Sequence, residues 1–145
     1  RAQLQRLSFE LVEGQVVTYL DAVRPVAKLI KSFGCQLIVE QAGRTIVSTH
    51  YIKDLNVDYI KLHRSLMKDI PQRYENQLFV RSLLGACENT GSQVLAVGIE
   101  NKKELKVIKE LGVEGAQGRI FEAETALFHH KEKLSIPKRR SRWEK

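Results

Sequence analysis

The sequence predicts an α/β fold with a parallel sheet, because short apolar runs alternate with stretches of helical periodicity. The chain has 145 residues, 43% of them hydrophobic and 28% charged, which is the composition of a single globular domain. No apolar run approaches the roughly 18 residues that a membrane-spanning helix needs. By themselves, these observations fit either a doubly wound sheet or part of an eight-stranded barrel.

Each element has its own local signal. The β-branched and apolar runs predict strands at residues 7–12, 36–39, 59–62, 94–97 and 116–121. Apolar side chains spaced three or four apart predict helices at residues 16–31, 76–89 and 102–111. Gly34, Gly91 and Gly112 follow these helical stretches, where a left-handed glycine commonly ends a helix.

The positive charge is concentrated at the carboxyl terminus. The chain carries +7 overall, and residues 131–145 hold seven basic and two acidic side chains, hence +5 of that total. We therefore divide the chain into a body at 1–130 and a flexible basic tail at 131–145. The tail includes Lys138, Arg139, Arg140 and Arg142 and has the chemistry to contact RNA phosphates or anionic lipids. A solvated terminus without a partner fits equally well.

Polar side chains cluster where the predicted strands end. In parallel α/β folds the functional site is built at that edge of the sheet. The set that converges there comprises Glu10, Glu13, Glu40, Gln41, Lys61, His63, Glu100, Gln117 and Arg119. Carboxylates with an amide and a lysine suit divalent metals and a phosphodiester, although each residue alone is explained by a salt bridge. No dinucleotide fingerprint, P-loop or zinc-type spacing is present.

Five segments resemble, in order, the motifs of EAL domains, the cyclic di-GMP phosphodiesterases. They are residues 9–13, 34–43, 58–62, 96–100 and 116–119, which match the E-[IL]-T-E, D-D-F-G, D-x-[IL]-K, A-E-G-V-E and Q-G-[YF] strands. The resemblance implies a modified TIM-like (β/α)8 barrel. This chain would supply the C-terminal five βα units, and the rest of the barrel would precede residue 1.

Carried over by position, the resemblance assigns a metal-binding carboxylate to Glu10 and active-site positions to Lys61, Glu100 and Gln117. Glu13 matches a glutamate that supports a loop beside the metals.

The departures fall on the reaction itself. Glu40 and Gln41 replace the paired metal-binding aspartates, and Val97 replaces the proposed general base. We therefore expect a vestigial phosphodiesterase site without metal, cofactor or catalysis.

A second resemblance concerns partners. Residues 44–66 are similar to a degenerate GGDEF–EAL group of enterobacteria that directs small carbon-storage RNAs to decay by RNase E. The resemblance implies RNA, RNase E and the phosphotransferase protein EIIA-glucose as partners, and a location at the cytoplasmic face of the inner membrane. Arg44, Arg64 and Arg119 join the tail as candidate phosphate contacts. A non-hydrolysing receptor for cyclic di-GMP is the alternative.

Overall fold

Five parallel strands form one sheet in the chain order β1-β2-β3-β4-β5. The computed structural model describes residues 4–121. The strands are β1 (Ser8–Val12), β2 (Gln36–Ala42), β3 (Tyr59–Leu62), β4 (Gln93–Val97) and β5 (Gly115–Gln117). The helices are α1 (Glu13–Thr18), α2 (Leu20–Ser32), α3 (Tyr51–Asp54), α4 (Tyr74–Cys87) and α5 (Lys102–Leu111). The prediction of a parallel α/β sheet is confirmed. None of the described helices is long and apolar enough to cross a bilayer.

The prediction of one helix at residues 16–31 is wrong, because the chain forms two helices with a break at Tyr19. The Tyr19 carbonyl accepts hydrogen bonds from the amides of Ala22 and Val23, at 3.0 and 2.9 Å, and so starts a new helix. Before the break, the Thr18 hydroxyl donates to the Gly14 carbonyl at 2.7 Å. The one-turn helix α3 has no counterpart among the predicted elements, since four residues are too few to show a helical period.

The fifth strand is shorter than the predicted 116–121, because the chain turns sharply at Gly118. The amides of Gly98 and Ile99 both donate to the Gln117 carbonyl, at 3.0 and 3.1 Å. Gly118 then passes so close to Ile99 that an added Cβ would lie 2.2 Å from the Ile99 carbonyl oxygen. Pairing therefore stops at Gln117, and residues 119–121 begin a helix.

One face of the sheet is buried and the other lies half open. The alternate residues Ile60 and Leu62 of β3 and Val94 and Ala96 of β4 are buried in the hydrophobic core. The residues between them, including Lys61 and Val97, are only partly buried. Because side chains alternate along a strand, the open face carries the polar residues to the carboxyl-terminal edge of the sheet.

The opposite edge of the sheet is held by Asp58, which immediately precedes β3. Both of its carboxylate oxygens lie 2.7 Å from Lys31 Nζ of α2. One of them also accepts from the Leu37 backbone N–H of β2 at 2.8 Å. A single carboxylate thus ties α2, β2 and β3 together.

We expect Asp58→Ala to destabilise the complete EAL domain by about 1–3 kcal/mol, because it leaves the Leu37 amide and the Lys31 ammonium without their acceptor. Urea denaturation measures the loss. The control is Asp69→Asn, at an exposed residue with φ 56°, where asparagine is well tolerated. Equal midpoints for the two variants would contradict this role of Asp58.

Candidate functional site

A cavity of about 470 Å³ opens at the carboxyl ends of the strands. It is lined by Glu40, Gln41, Arg44, Lys61, Leu62, His63, Arg64, Val97 and Gln117. The structure therefore brings together five of the residues expected to converge, namely Glu40, Gln41, Lys61, His63 and Gln117. A second cavity, of about 770 Å³, lies on the outer wall between α2, α3 and the end of α4, away from the strand ends.

Lys61 and Glu10 form an ion pair at the open face of the sheet. Lys61 Nζ lies 2.6 Å from Glu10 Oε1, and the Lys61 side chain is 19% exposed. The hydrogen bond from Lys61 holds the pKa of Glu10 below its ordinary value. Burial, followed by the neighbouring Glu10 carboxylate, raises the pKa of Glu40. The ammonium thus neutralises one carboxylate of a pair that would otherwise attract cations.

Glu40 and Gln41 lie at an irregularity in strand β2. Val39 pairs with Ile60 and Ala42 with Leu62, so β2 has one residue more than β3 between these pairs. Gln41 adopts a left-handed conformation with φ 57°. Its amide oxygen accepts a hydrogen bond from Arg44 at 3.3 Å. A guanidinium therefore occupies the neighbourhood where the family resemblance places an anionic metal ligand.

His63 contributes a neutral ring to the cavity. Its Nδ1 accepts from the Ser65 backbone N–H at 3.2 Å and lies 2.7 Å from the Ser65 hydroxyl. This acceptor role leaves the ring proton on Nε2. Burial, with the charges of Arg44 and Arg64, lowers the pKa of His63 below its ordinary value. At neutral pH the ring is therefore uncharged and offers one N–H donor.

Glu13 lies under the loop that follows β2. The carboxylate is buried, with 3% of the residue exposed. It accepts a 3.0 Å hydrogen bond from the Gly43 backbone N–H and a further one from the Tyr51 hydroxyl. Burial, followed by the Glu13 contact, raises the pKa of Tyr51. This carboxylate fixes both the start of the loop at Gly43 and its end at α3.

The remaining predicted residues lie apart from the cavity. Glu100 is exposed, and its backbone N–H donates to the Glu104 carboxylate at 2.9 Å. Asn101 caps α5 by accepting from the Glu104 N–H at 2.9 Å. These two bonds hold the backbone of residue 100 to the first turn of α5, and Glu100 is not among the residues that line the cavity. Arg119 is exposed and does not line the cavity, and the basic tail lies outside the described residues.

The donor set does not fit the two divalent metals that the resemblance implies. Within residues 4–121, no three His, Cys, Asp or Glu side chains are placed to hold one ion. Glu10 is paired with Lys61, and Gln41 is hydrogen-bonded to Arg44. Hard divalent cations prefer several oxygen ligands and anionic charge, whereas this cavity is rimmed by cations.

This fold and site define the class of protein. The family model described as "EAL domain" matches residues 1–124, and the chain belongs to the EAL domain family. The sequence is also 39% identical to the RNase E specificity factor CsrD of Escherichia coli K12 over 135 residues. That match covers 93% of this chain and 21% of CsrD. The chain is thus a CsrD-like EAL segment that spans about a fifth of its relative's length.

Other relatives and solved structures agree on the fold. The chain is 24% identical to the cyclic di-GMP phosphodiesterase NbdA of Pseudomonas aeruginosa, over 79% of this chain and 15% of NbdA. A complex of Klebsiella pneumoniae BlrP1 with manganese and cyclic di-GMP superposes with a TM-score of 0.75 and 26% identity, over 81% of this chain and 30% of that one. The EAL domain of FimX from P. aeruginosa, bound to cyclic di-GMP, superposes with a TM-score of 0.68 and 22% sequence identity. That match covers 77% of this chain and 46% of the FimX chain. These matches confirm that the five βα units are part of a TIM-like barrel.

We expect Tyr51→Phe to loosen the loop at residues 43–50, because Glu13 would lose its hydroxyl donor and keep only the Gly43 amide. The cost is about 1–3 kcal/mol. Hydrogen exchange should be faster across this loop than in the unaltered domain. Tyr74→Phe, at an exposed tyrosine, is the control. Unchanged protection in Tyr51→Phe would show that the Glu13 contact does not hold the loop.

Replacing Lys61 with methionine should raise the pKa of Glu10, because the ammonium that stabilises its charged form is removed. Carboxyl-carbon NMR of the complete domain measures the titration. In the unaltered domain this contact contributes stability above the unfolded pKa of glutamate, and the contribution is lost as pH falls through the lowered pKa of Glu10. Lys53→Met, at an exposed lysine of α3, should leave the Glu10 midpoint in place. An equal rise in both variants would rule out a specific pair.

Proposed function

We propose that this chain is part of a non-hydrolysing EAL regulator that acts as an adaptor in the RNase E-dependent decay of small regulatory RNAs. The proposal rests first on the 39% identity to CsrD, whose name describes it as an RNase E specificity factor. It rests second on the charge of the cavity. Arg44, Lys61 and Arg64 outnumber the two carboxylates beside them, those of Glu40 and of Glu10, the partner of Lys61. That cation excess is the observation that carries the proposal.

Loss of hydrolysis follows from the groups that line the cavity. Val97 lies at the position of the family's general base and has no atom that takes a proton from water. Removing a general base costs about 10²–10⁴-fold in rate. Unfavourable metal binding compounds the loss, because a metal-bound water is the nucleophile of such reactions. A fold that keeps its cavity without these groups is suited to binding.

The same cations favour phosphate groups. Arginine forms paired hydrogen bonds to phosphate oxygens, and Arg44 and Arg64 lie on the rim of the cavity. The neutral ring of His63 adds a donor without adding charge. Contacts of this kind bind and orient an RNA backbone without reading its sequence. An adaptor that presents diverse RNAs to a nuclease needs such contacts.

The proposal extends to partners and place in the cell. From the resemblance to the degenerate GGDEF–EAL group, we propose that RNase E and RNA are partners of this protein. We propose EIIA-glucose as a regulatory partner on the same ground. We place the full-length protein at the cytoplasmic face of the inner membrane, anchored by sequence outside this segment. Arg119 and the tail arginines and lysine (Lys138, Arg139, Arg140, Arg142) are further phosphate-contact candidates.

The test uses the full-length protein in cells that lack their own copy. RNA half-lives should be long without the protein, short with it, and long again with Arg44→Ala combined with Arg64→Ala. The purified protein should not hydrolyse cyclic di-GMP with Mg²⁺ or Mn²⁺. A triple variant tests whether restoring the missing groups restores hydrolysis. It combines Glu40→Asp, Gln41→Asp and Val97→Glu.

A matched control removes two cations from the outer helices, Lys28 of α2 and Arg81 of α4, both exposed. This variant should still shorten the RNA half-lives. Hydrolysis by the unaltered protein would overturn the loss of catalysis. Tight binding of cyclic di-GMP without turnover, with RNA half-lives unaffected by the protein, would replace the adaptor with a receptor.

A further inference from the structure

The exposed side of helix α5 is unusual among the described helices in carrying almost one sign of charge. Five of its residues are exposed, and four are lysines: Lys102, Lys103, Lys106, Lys109 and Glu110. At 3.6 residues per turn they cover one continuous arc. The opposite arc packs inward, with Glu104 and Ile108 buried. By contrast, the exposed charged residues of α4 are one glutamate and one arginine, Glu75 and Arg81.

The first-turn lysines of α5 do not serve the stability of the helix. Lys102 and Lys103 occupy its first two positions. Positive charge at a helix N-terminus opposes the helix dipole and costs about 0.3–1 kcal/mol per group at the surface. The helix is started instead by the Asn101 side chain, which accepts a hydrogen bond from the Glu104 N–H at the N-cap. In the second turn, Lys106 lies 4.0 Å from Glu110 with both side chains mostly exposed, a contact of little energetic worth.

Arg64 connects the cavity lining to the chain segment that leads into α5. Gly98 ends the β4 side of the cavity with φ 84°, and a Cβ added there would lie 2.8 Å from the Cβ of Arg64. The first turn of α5 follows three residues after this contact, at Asn101. Arg64 therefore lies both in the cavity lining and against the turn that leads from β4 toward α5. We call Arg64, Lys102, Lys103 and Lys106 the basic strip.

We propose that the basic strip is an interface for the phosphate backbone of an RNA strand whose other contacts are made at the cavity rim. This inference rests on the proposed RNA function and names the surface along which the RNA backbone would lie. Charge is the complementary feature, since backbone contacts by lysine supply affinity without sequence information. The exposed arc of α5 offers no apolar side chain. Protein docking sites and membrane-bound helices both use apolar anchors, so a polyanion fits this surface better.

The test measures binding of a short oligouridylate to the full-length protein by fluorescence anisotropy across a salt series. Lys102→Glu with Lys103→Glu should weaken binding by about tenfold or more and lower the salt slope by about 0.7 for each phosphate that the variant no longer neutralises. The same exchange places acidic groups in the first turn, where they favour the helix. The unfolding temperature should therefore hold or rise, which separates weaker RNA binding from a failure to fold.

The control is Lys28→Glu with Arg81→Glu, which changes the net charge equally on α2 and α4 and should bind RNA as the unaltered protein does. If the control loses as much affinity as the strip variant, net charge explains binding and the strip is overturned. If the strip variant keeps its full RNA affinity, the basic strip is overturned as an RNA interface, whatever its binding to phosphatidylserine vesicles. The proposed function would still stand. No RNA binding by the unaltered protein, at any salt concentration, would overturn both.

Discussion

Burial of one face of the sheet against the helices decides which side chains reach the cavity. Ile60, Leu62, Val94 and Ala96 are each at most 1% exposed, and they fix the orientation of β3 and β4. Because the side-chain period of a strand is two, Lys61 and Val97 must then lie on the other face. A one-residue slip would bury an ammonium and expose the core, so the register is strongly specified. The positions of the site residues are a consequence of core packing.

The chemistry of the cavity follows from charges placed on that frame. In an EAL enzyme the resemblance implies a cluster of acidic ligands at the ends of the strands. Here Lys61 is paired with Glu10, and Arg44 contacts Gln41. Compared with that acidic cluster, the charge of this cavity lining is more favourable to anions, although the fold is the same. This charge is the basis of our proposal that the domain binds phosphate groups rather than divalent metals.

Support for the loop beside the cavity is independent of catalysis. The Glu13 carboxylate accepts hydrogen bonds from the Gly43 backbone N–H and the Tyr51 hydroxyl. Gly43 has no room for a side chain, because an added Cβ would lie 2.5 Å from Leu66 Cδ1. These contacts hold the start of the loop, and with it Arg44, beside the cavity. A buried carboxylate with its donors is costly to disrupt, so the loop scaffold persists on structural grounds alone.

The sequence by itself determined the kinds of element, their order and the edge at which polar residues gather. β3 and α5 lie at their predicted bounds, because apolar periodicity and capping are local properties. Tertiary contacts decided the turn at Gly118 and the extra residue in β2. Each depends on strand register or on a hydrogen bond between separate segments. The approach of Arg64 to Gly98, at the turn that leads from β4 toward α5, is of the same kind. A local pattern carries no record of such long-range pairings, because they exist only once the core has packed.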